Sequence, residues 1–159
     1  MKYSISVILF IVLSSVLSFN VAAQQAPSFT LHNEKGEQVS LKDYQGKPLI
    51  IHFWATWCPY CKKLQPGLNK LYQQYHSQGL NLLAISLWED DGAQPQAELI
   101  KRGMSFKTAV NGEKISELYQ VRSTPTTLFI SKEGKIIWRT DISDPNSPLL
   151  EKAVQALLE

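Results

Sequence analysis

The sequence predicts an α/β domain in which a mixed β-sheet carries helices on both faces. The runs KPLIIHFWA and LNLLAISLW are continuously apolar and rich in β-forming residues, as is typical of strands buried on both faces. The segment that follows the first of these runs shows apolar residues three and four apart, which is the period of an amphipathic helix. The runs TTLFI and KIIWRT are separated by the tight turn SKEG, and this spacing predicts an antiparallel pair.

The N-terminal half supplies a hairpin, a strand and a long helix, in that order. Apolar residues alternate on either side of Gly36 in SFTLHNEKGEQVSL, which predicts a β-hairpin ahead of the first buried strand. A helix is predicted from Pro59 to just before Gly79, and a kink is expected at Pro66. The apolar positions of this helix are Leu64, Leu68, Leu71 and Tyr75.

The C-terminal half adds a second buried strand, two short helices, an antiparallel strand pair and a final helix. EDDGAQPQAELIKRG predicts a loop with acidic caps and then a helix that ends near Gly103, and GEKISELYQV predicts a short helix. SPLLEKAVQALLE has the pattern of an amphipathic helix. We expect a solvated loop and a helix cap from the residues after the second strand, which are Trp88, Glu89, Asp90 and Asp91.

Residues 1–23 have the pattern of a cleaved export signal. A positive charge at Lys2 precedes an apolar stretch of about thirteen residues, shorter than the roughly 20 that span a bilayer. Small residues at Val21 and Ala23 fit a cleavage site before Gln24. An uncleaved anchor in the inner membrane is the alternative, because no charged residue appears between Lys2 and Glu34.

Residues 24–159 are predicted to form one domain. The full chain of 159 residues has 16 lysines and arginines against 14 acidic residues, a formal charge of +2, and loss of Lys2 lowers it to about +1. Such a balance gives no electrostatic footprint for nucleic acid or for an acidic membrane surface. We therefore expect a monomer that meets its partners through apolar or backbone surfaces.

The stretch WATWCPYCKKLQP holds both cysteines of the chain, Cys58 and Cys61. A cysteine at the start of a helix is close to unpaired N–H groups, which can lower its pKa from about 8.5 to roughly 3.5–7.5. This placement predicts that Cys58 is the exposed nucleophile and that Cys61, more buried, is the resolving thiol. A closed structural disulfide and a metal clip with a histidine are the alternatives, although the pair supplies only two of the four ligands of a structural zinc site.

Several motifs together carry a family resemblance. FWATWCPYC, the proline at position 66 and STPTTLFI resemble the thioredoxin superfamily, and FTLHNEKGEQVSLKDYQGKPLIIHFWATWC is similar to its TlpA/ResA-like periplasmic branch. The resemblance implies a thioredoxin-like fold and thiol–disulfide exchange with protein thiols and disulfides, without a cofactor or a metal. It also implies a periplasmic location and a membrane thiol-transfer protein as the electron donor.

The resemblance also assigns roles to residues outside the dithiol. It implies a cis Thr124–Pro125 bond, with the Thr124 backbone pairing with an extended substrate segment, and an apolar docking rim at Trp57. His52 occupies the position of a buried acid in thioredoxin; as a cation it would stabilise the Cys58 thiolate, as a base it would take part in proton transfer with Cys61, and otherwise it is a neutral core residue.

The sequence constrains the direction of electron flow less than it constrains the chemistry. The TlpA-like hairpin favours a reductase, whereas the Pro-Tyr dipeptide between the cysteines is associated with more oxidising pairs, so an oxidase or isomerase is the nearest alternative. Leu64 replaces a glutamate of many TlpA-like reductases, which weakens an expectation of a role in cytochrome c maturation. A Cu(I)-binding protein is the alternative from another class, because the two soft thiolates suit that ion.

Overall fold

The computed structural model describes residues 24–159, so the predicted export signal lies outside the described residues. Two 3₁₀ turns, Leu41–Tyr44 and His76–Gln78, accompany the regular elements. None of the helices in this part of the chain combines the length and apolarity needed to cross a bilayer. The strands and helices are β1 (Thr30–His32), β2 (Gln38–Ser40), β3 (Leu49–Trp54), α1 (Pro59–Tyr75), β4 (Asn81–Ser86), α2 (Pro95–Lys101), β5 (Lys107–Ala109), α3 (Glu113–Leu118), β6 (Thr126–Ile130), β7 (Ile136–Thr140) and α4 (Pro148–Leu158).

A five-stranded mixed sheet has the order β5-β4-β3-β6-β7, with β3 at its centre. β3 is parallel to β4 and antiparallel to β6, while β5 and β7 form the two edges. β1 and β2 form a separate antiparallel hairpin. The predicted mixed sheet and hairpin are confirmed. Strand β5 was not predicted, because its three residues are too few to show the alternating pattern of a strand in the sequence.

The side chains of β3 alternate between two hydrophobic layers, as the pleat of a strand requires. Ile50 and Trp54 pack with α1, α4 and Leu99 of α2, whereas Ile51 and Phe53 pack with α3 and the N-terminal hairpin. All six residues of β3 are buried. The sheet is therefore covered on both faces, which explains why apolar residues fill every position of β3 except that of His52.

Helix α1 begins and ends as its sequence predicts. Pro59 occupies the first turn, where its missing N–H costs nothing. Gly79 follows the last turn with φ of +97°, a left-handed conformation that suits glycine. Pro66 lies inside the helix without ending it.

The first described residues pair with the β6–β7 turn and the start of β7, at the end of the sheet away from Trp54. Gln24 accepts a hydrogen bond from the Ile136 N–H (2.8 Å), and Ala26 donates one to the Gly134 carbonyl (2.8 Å). Because β6 is antiparallel to β3, the β6–β7 turn lies beside the start of β3 rather than its end. Gln24 thus lies at the end of the sheet where β3 begins.

Gly67 lies where α1 meets the loop before α4, and we expect Gly67→Ala to destabilise the fold. A Cβ at this position would collide with the backbone of Pro145, which cannot rotate away as a side chain would. Overpacking of this kind costs about 1–3 kcal/mol. Urea unfolding measures the loss, with exposed Lys70→Ala on the same helix as the control. A Gly67→Ala variant as stable as the wild type would contradict this packing.

Candidate active site

The two cysteines form a disulfide where β3 leads into α1. Cys58 is the N-cap of α1, and its Sγ accepts a hydrogen bond from the Cys61 N–H (3.1 Å). Cys58 is 3% exposed and Cys61 is fully buried, so the predicted order of burial is correct, but Cys58 is far less exposed than expected. The backbone N–H groups of the first turn are therefore aimed at Cys58, the arrangement that stabilises a thiolate there once the disulfide opens.

The Thr124–Pro125 peptide bond is cis, as the resemblance implies, and it leads directly into β6. Thr126 pairs with Phe53 near the end of β3, which brings this loop to the same end of the sheet as the dithiol. Tyr60, which lies between the two cysteines in sequence, lines a cleft of about 270 Å³ together with Pro125. Thr124, Ser123 and Asp141 also line that cleft. The predicted Thr124, Pro125 and the dithiol turn thus share one surface.

Three aromatic side chains are exposed around the dithiol. Trp57 is 52% exposed, and its indole Nε1 donates a hydrogen bond to the Trp88 carbonyl (2.7 Å). Trp88 has a positive φ, and its N–H donates to the Glu113 carboxylate (2.8 Å). Tyr60 projects from the first turn of α1. By contrast, Trp54 is fully buried, as expected of a core residue, and donates to the Thr108 hydroxyl (3.1 Å).

Glu89 is bonded to the loop that carries the dithiol. Its carboxylate accepts hydrogen bonds from the Thr56 N–H (3.0 and 3.1 Å to its two oxygens), the Thr56 hydroxyl (2.5 Å) and the Ser86 hydroxyl (2.7 Å). The N-cap of α2 is Gln94. The expectation that the residues after β4 cap that helix is therefore wrong: Glu89 turns back towards Thr56, two residues before Cys58, because that backbone N–H needs an acceptor.

Arg102 contacts the same loop from the other side. Its Nη2 donates to the Thr56 carbonyl (2.8 Å), its Nη1 to the buried Gln65 side chain (2.9 Å), and its Nε to Glu98 (3.0 Å). The guanidinium carbon also lies 5.6 Å from the centre of the Trp54 ring. The Arg102 side chain is 11% exposed. An ionised group this buried is tolerated because each of its nitrogens has a partner.

His52 is a fully buried residue at the centre of β3. Its Nδ1 lies 3.1 Å from the hydroxyl of Thr127, its partner on β6, and its Nε2 has no hydrogen-bond partner within residues 24–159. Burial lowers the pKa of His52 from 6.5 to about 3, so the imidazole is neutral at physiological pH. The cationic role for His52 is thereby disfavoured, and proton transfer to Cys61 stays a proposal.

The described residues contain no group of three or more histidine, cysteine or acidic side chains placed to hold a metal ion. Sequence reasoning brought together the dithiol, Trp57 and the Thr124–Pro125 loop, but it missed Glu89 and Arg102. The only sequence signals for these two were an acid just after a buried strand and an arginine just before Gly103, and neither specifies a partner.

Solved structures share this arrangement of sheet, helices and hairpin. A candidate thiol:disulfide interchange protein DsbE from Chlorobium tepidum superposes with a TM-score of 0.74 at 27% identity, covering 86% of this chain and 97% of that one. A thiol-disulfide oxidoreductase from Bacteroides fragilis NCTC 9343 gives 0.72 at 28% identity, covering 84% and 99%. The fold is therefore thioredoxin-like, with its cysteine pair at the start of the first long helix.

The chain belongs to the AhpC/TSA family, whose model matches residues 22–139. Among its relatives, "Thiol-disulfide oxidoreductase ResA" of Bacillus thuringiensis (strain Al Hakam) is 35% identical over 115 residues. That alignment covers 72% of this chain and 66% of the relative. The ResA protein of Halalkalibacterium halodurans is 32% identical over 117 residues, again covering 66% of that protein. The chain thus spans just under two thirds of the length of these relatives.

Proposed function

We propose that this protein is an exported thiol–disulfide oxidoreductase that exchanges electrons with protein substrates through Cys58 and Cys61. The observation that carries the proposal is a disulfide whose Cys58 caps α1, beside a cleft lined by Thr124 and Pro125. A closed structural staple has no need of such a cleft. The names of the ResA relatives and of the Bacteroides fragilis structure support the same chemistry.

The reducing reaction takes place in two exchange steps. The Cys58 thiolate attacks one sulfur of a substrate disulfide, forms a mixed disulfide and releases the other substrate sulfur as a thiolate, which takes up a proton. The Cys61 thiolate then attacks the Cys58 sulfur, and the second substrate sulfur leaves. Two electrons pass to the substrate, and the protein ends with the Cys58–Cys61 disulfide.

Substrates are proposed to bind as extended segments across the cleft. The Thr124 backbone precedes β6, where a substrate strand could add its hydrogen bonds. Trp57 and Trp88 form an exposed aromatic rim beside Cys58, held together by the indole hydrogen bond. This surface suits a protein substrate better than a small charged one, because Trp57, Tyr60 and Trp88 all expose large aromatic side chains there.

The proposed direction is reduction in the periplasm, with a membrane thiol-transfer protein as the electron donor. The hairpin of β1 and β2, which resembles that of TlpA-like reductases, supports this direction. Leu64, which is fully buried in α1, offers no carboxylate for a role in cytochrome c maturation. The proposed export rests on residues 1–23, which have the pattern of a cleaved signal.

The equilibrium of the dithiol with glutathione tests this function. We expect reversible exchange, with a potential below about −200 mV, because a reductase must hold its electrons less tightly than its substrates do. A potential near about −120 mV would make the protein an oxidase instead. Failure to exchange, combined with tight binding of Cu(I) to the reduced protein, would overturn the redox function.

A further inference from the structure

We propose that Arg102 is a positioning residue for the Cys58–Cys61 turn, and that its positive charge shifts the balance between disulfide and dithiol towards the dithiol. The inference rests on the proposed exchange function. Neither the expected mechanism nor the sequence pattern assigns Arg102 a role. It belongs to the segment after α2, remote in sequence from the cysteines.

The contacts of Arg102 bracket the dithiol turn. Thr56 lies two residues before Cys58, and Gln65 lies four residues after Cys61, one helical turn further along α1. One guanidinium group donates to both of these residues, with distances of 2.8 and 2.9 Å. Because the guanidinium is planar, its two donors are fixed relative to each other, and the group lies over the Trp54 ring. Arg102 therefore ties the strand side of the turn to the helix side.

Glu89 also hydrogen-bonds to Thr56, and its charge is opposite to that of Arg102. Its carboxylate takes the N–H and the hydroxyl, whereas Arg102 takes the carbonyl. A positive charge near Cys58 favours the thiolate and hence the reduced form, and a negative charge disfavours it. The two side chains thus stabilise one loop conformation but act on the thiolate with opposite signs.

This opposition separates an electrostatic role from a purely structural one. Arg102→Met and Glu89→Gln both weaken the anchoring of Thr56, so a structural effect would move both variants in the same direction. The proposed charge effect instead shifts the reduction equilibrium of the two variants in opposite directions. We expect the equilibrium constant for reduction by glutathione to fall about three- to tenfold in Arg102→Met and to rise in Glu89→Gln.

Two further variants complete the experiment. Arg102→Lys retains the charge without the planar fork and should recover part of the loss. Lys101→Met is the matched control, because Lys101 approaches the same Glu98 (3.9 Å) with a side chain that is 79% exposed. The thiolate absorbance of each reduced variant against pH gives the Cys58 pKa, which should rise in Arg102→Met and fall in Glu89→Gln. Circular dichroism confirms that each variant is folded.

Shifts of the same sign in Arg102→Met and Glu89→Gln, or a control shift as large as that of Arg102→Met, would overturn the inference. So would an Arg102→Met variant with unchanged equilibrium and thiolate titration. A wild-type protein that does not exchange with glutathione would overturn the proposed function instead, while the thiolate titration would still test Arg102.

Discussion

Replacement of Cys58 by serine should abolish disulfide exchange, whereas Cys61→Ser should stop the reaction after its first step. A serine hydroxyl is not ionised at neutral pH and is a poor nucleophile towards sulfur, so Cys58→Ser should lose about a thousandfold or more in rate. In Cys61→Ser, the Cys58 thiolate remains at the N-terminus of α1. It should still attack a substrate disulfide, but no second thiol releases the product.

Non-reducing electrophoresis distinguishes these outcomes. Cys61→Ser should accumulate protein-linked species that disappear on addition of a thiol reductant, and Cys58→Ser should accumulate none. The double variant Cys58→Ser, Cys61→Ser is the control for non-specific adducts. Trapping by Cys58→Ser instead of Cys61→Ser would reverse the assigned roles, despite the helix position of Cys58.

Acidification should destabilise the protein through His52. The folded state keeps this imidazole neutral down to a pH near 3, whereas in the unfolded chain it takes up a proton below about 6.5. Between these two pH values the unfolded state binds more protons than the folded state. The free energy of unfolding is therefore highest above pH 6.5 and falls as the pH is lowered. The His52 contribution alone should cost about 2–3 kcal/mol between pH 7 and pH 4.5.

Urea unfolding at several pH values isolates this effect. His52→Gln removes the titrating group while leaving an amide opposite Thr127, so the variant should lose less stability than the wild type as the pH falls. His32→Gln is the matched control, because His32 is exposed on the hairpin. If His52→Gln and the wild type lose stability in parallel, His52 is protonated in the folded protein and is not isolated from solvent.

The sequence predicted the larger elements because their signals are local. The apolar run of β3 and the spacing of Leu64, Leu68 and Leu71 specify a buried strand and a helix without any knowledge of their neighbours. Strand β5 is specified by pairing with β4, which no local period records. For the same reason the sequence gives no sign of its position at the edge of the sheet.

The residues of the candidate site likewise differ in whether the sequence alone reveals them. The cysteine pair is visible because its two residues are neighbours along one helix. Arg102 and Glu89 reach Thr56 from segments 46 and 33 residues away, and their hydrogen bonds depend on how three loops meet. His52 shows the third case: its position suggested a charge, but complete burial removes that charge.

The position of Gln24 beside the start of β7 has a practical consequence for experiments. Gln24 itself lies beside the start of β3, while the disulfide lies past the other end of that strand, about 20 Å away at some 3.3 Å per residue. A surface or a dye joined directly at Gln24, the first residue after the predicted cleavage site, would therefore leave the cleft at Pro125 open to large proteins. This geometry allows mixed disulfides to be trapped and observed one molecule at a time on a protein immobilised at Gln24.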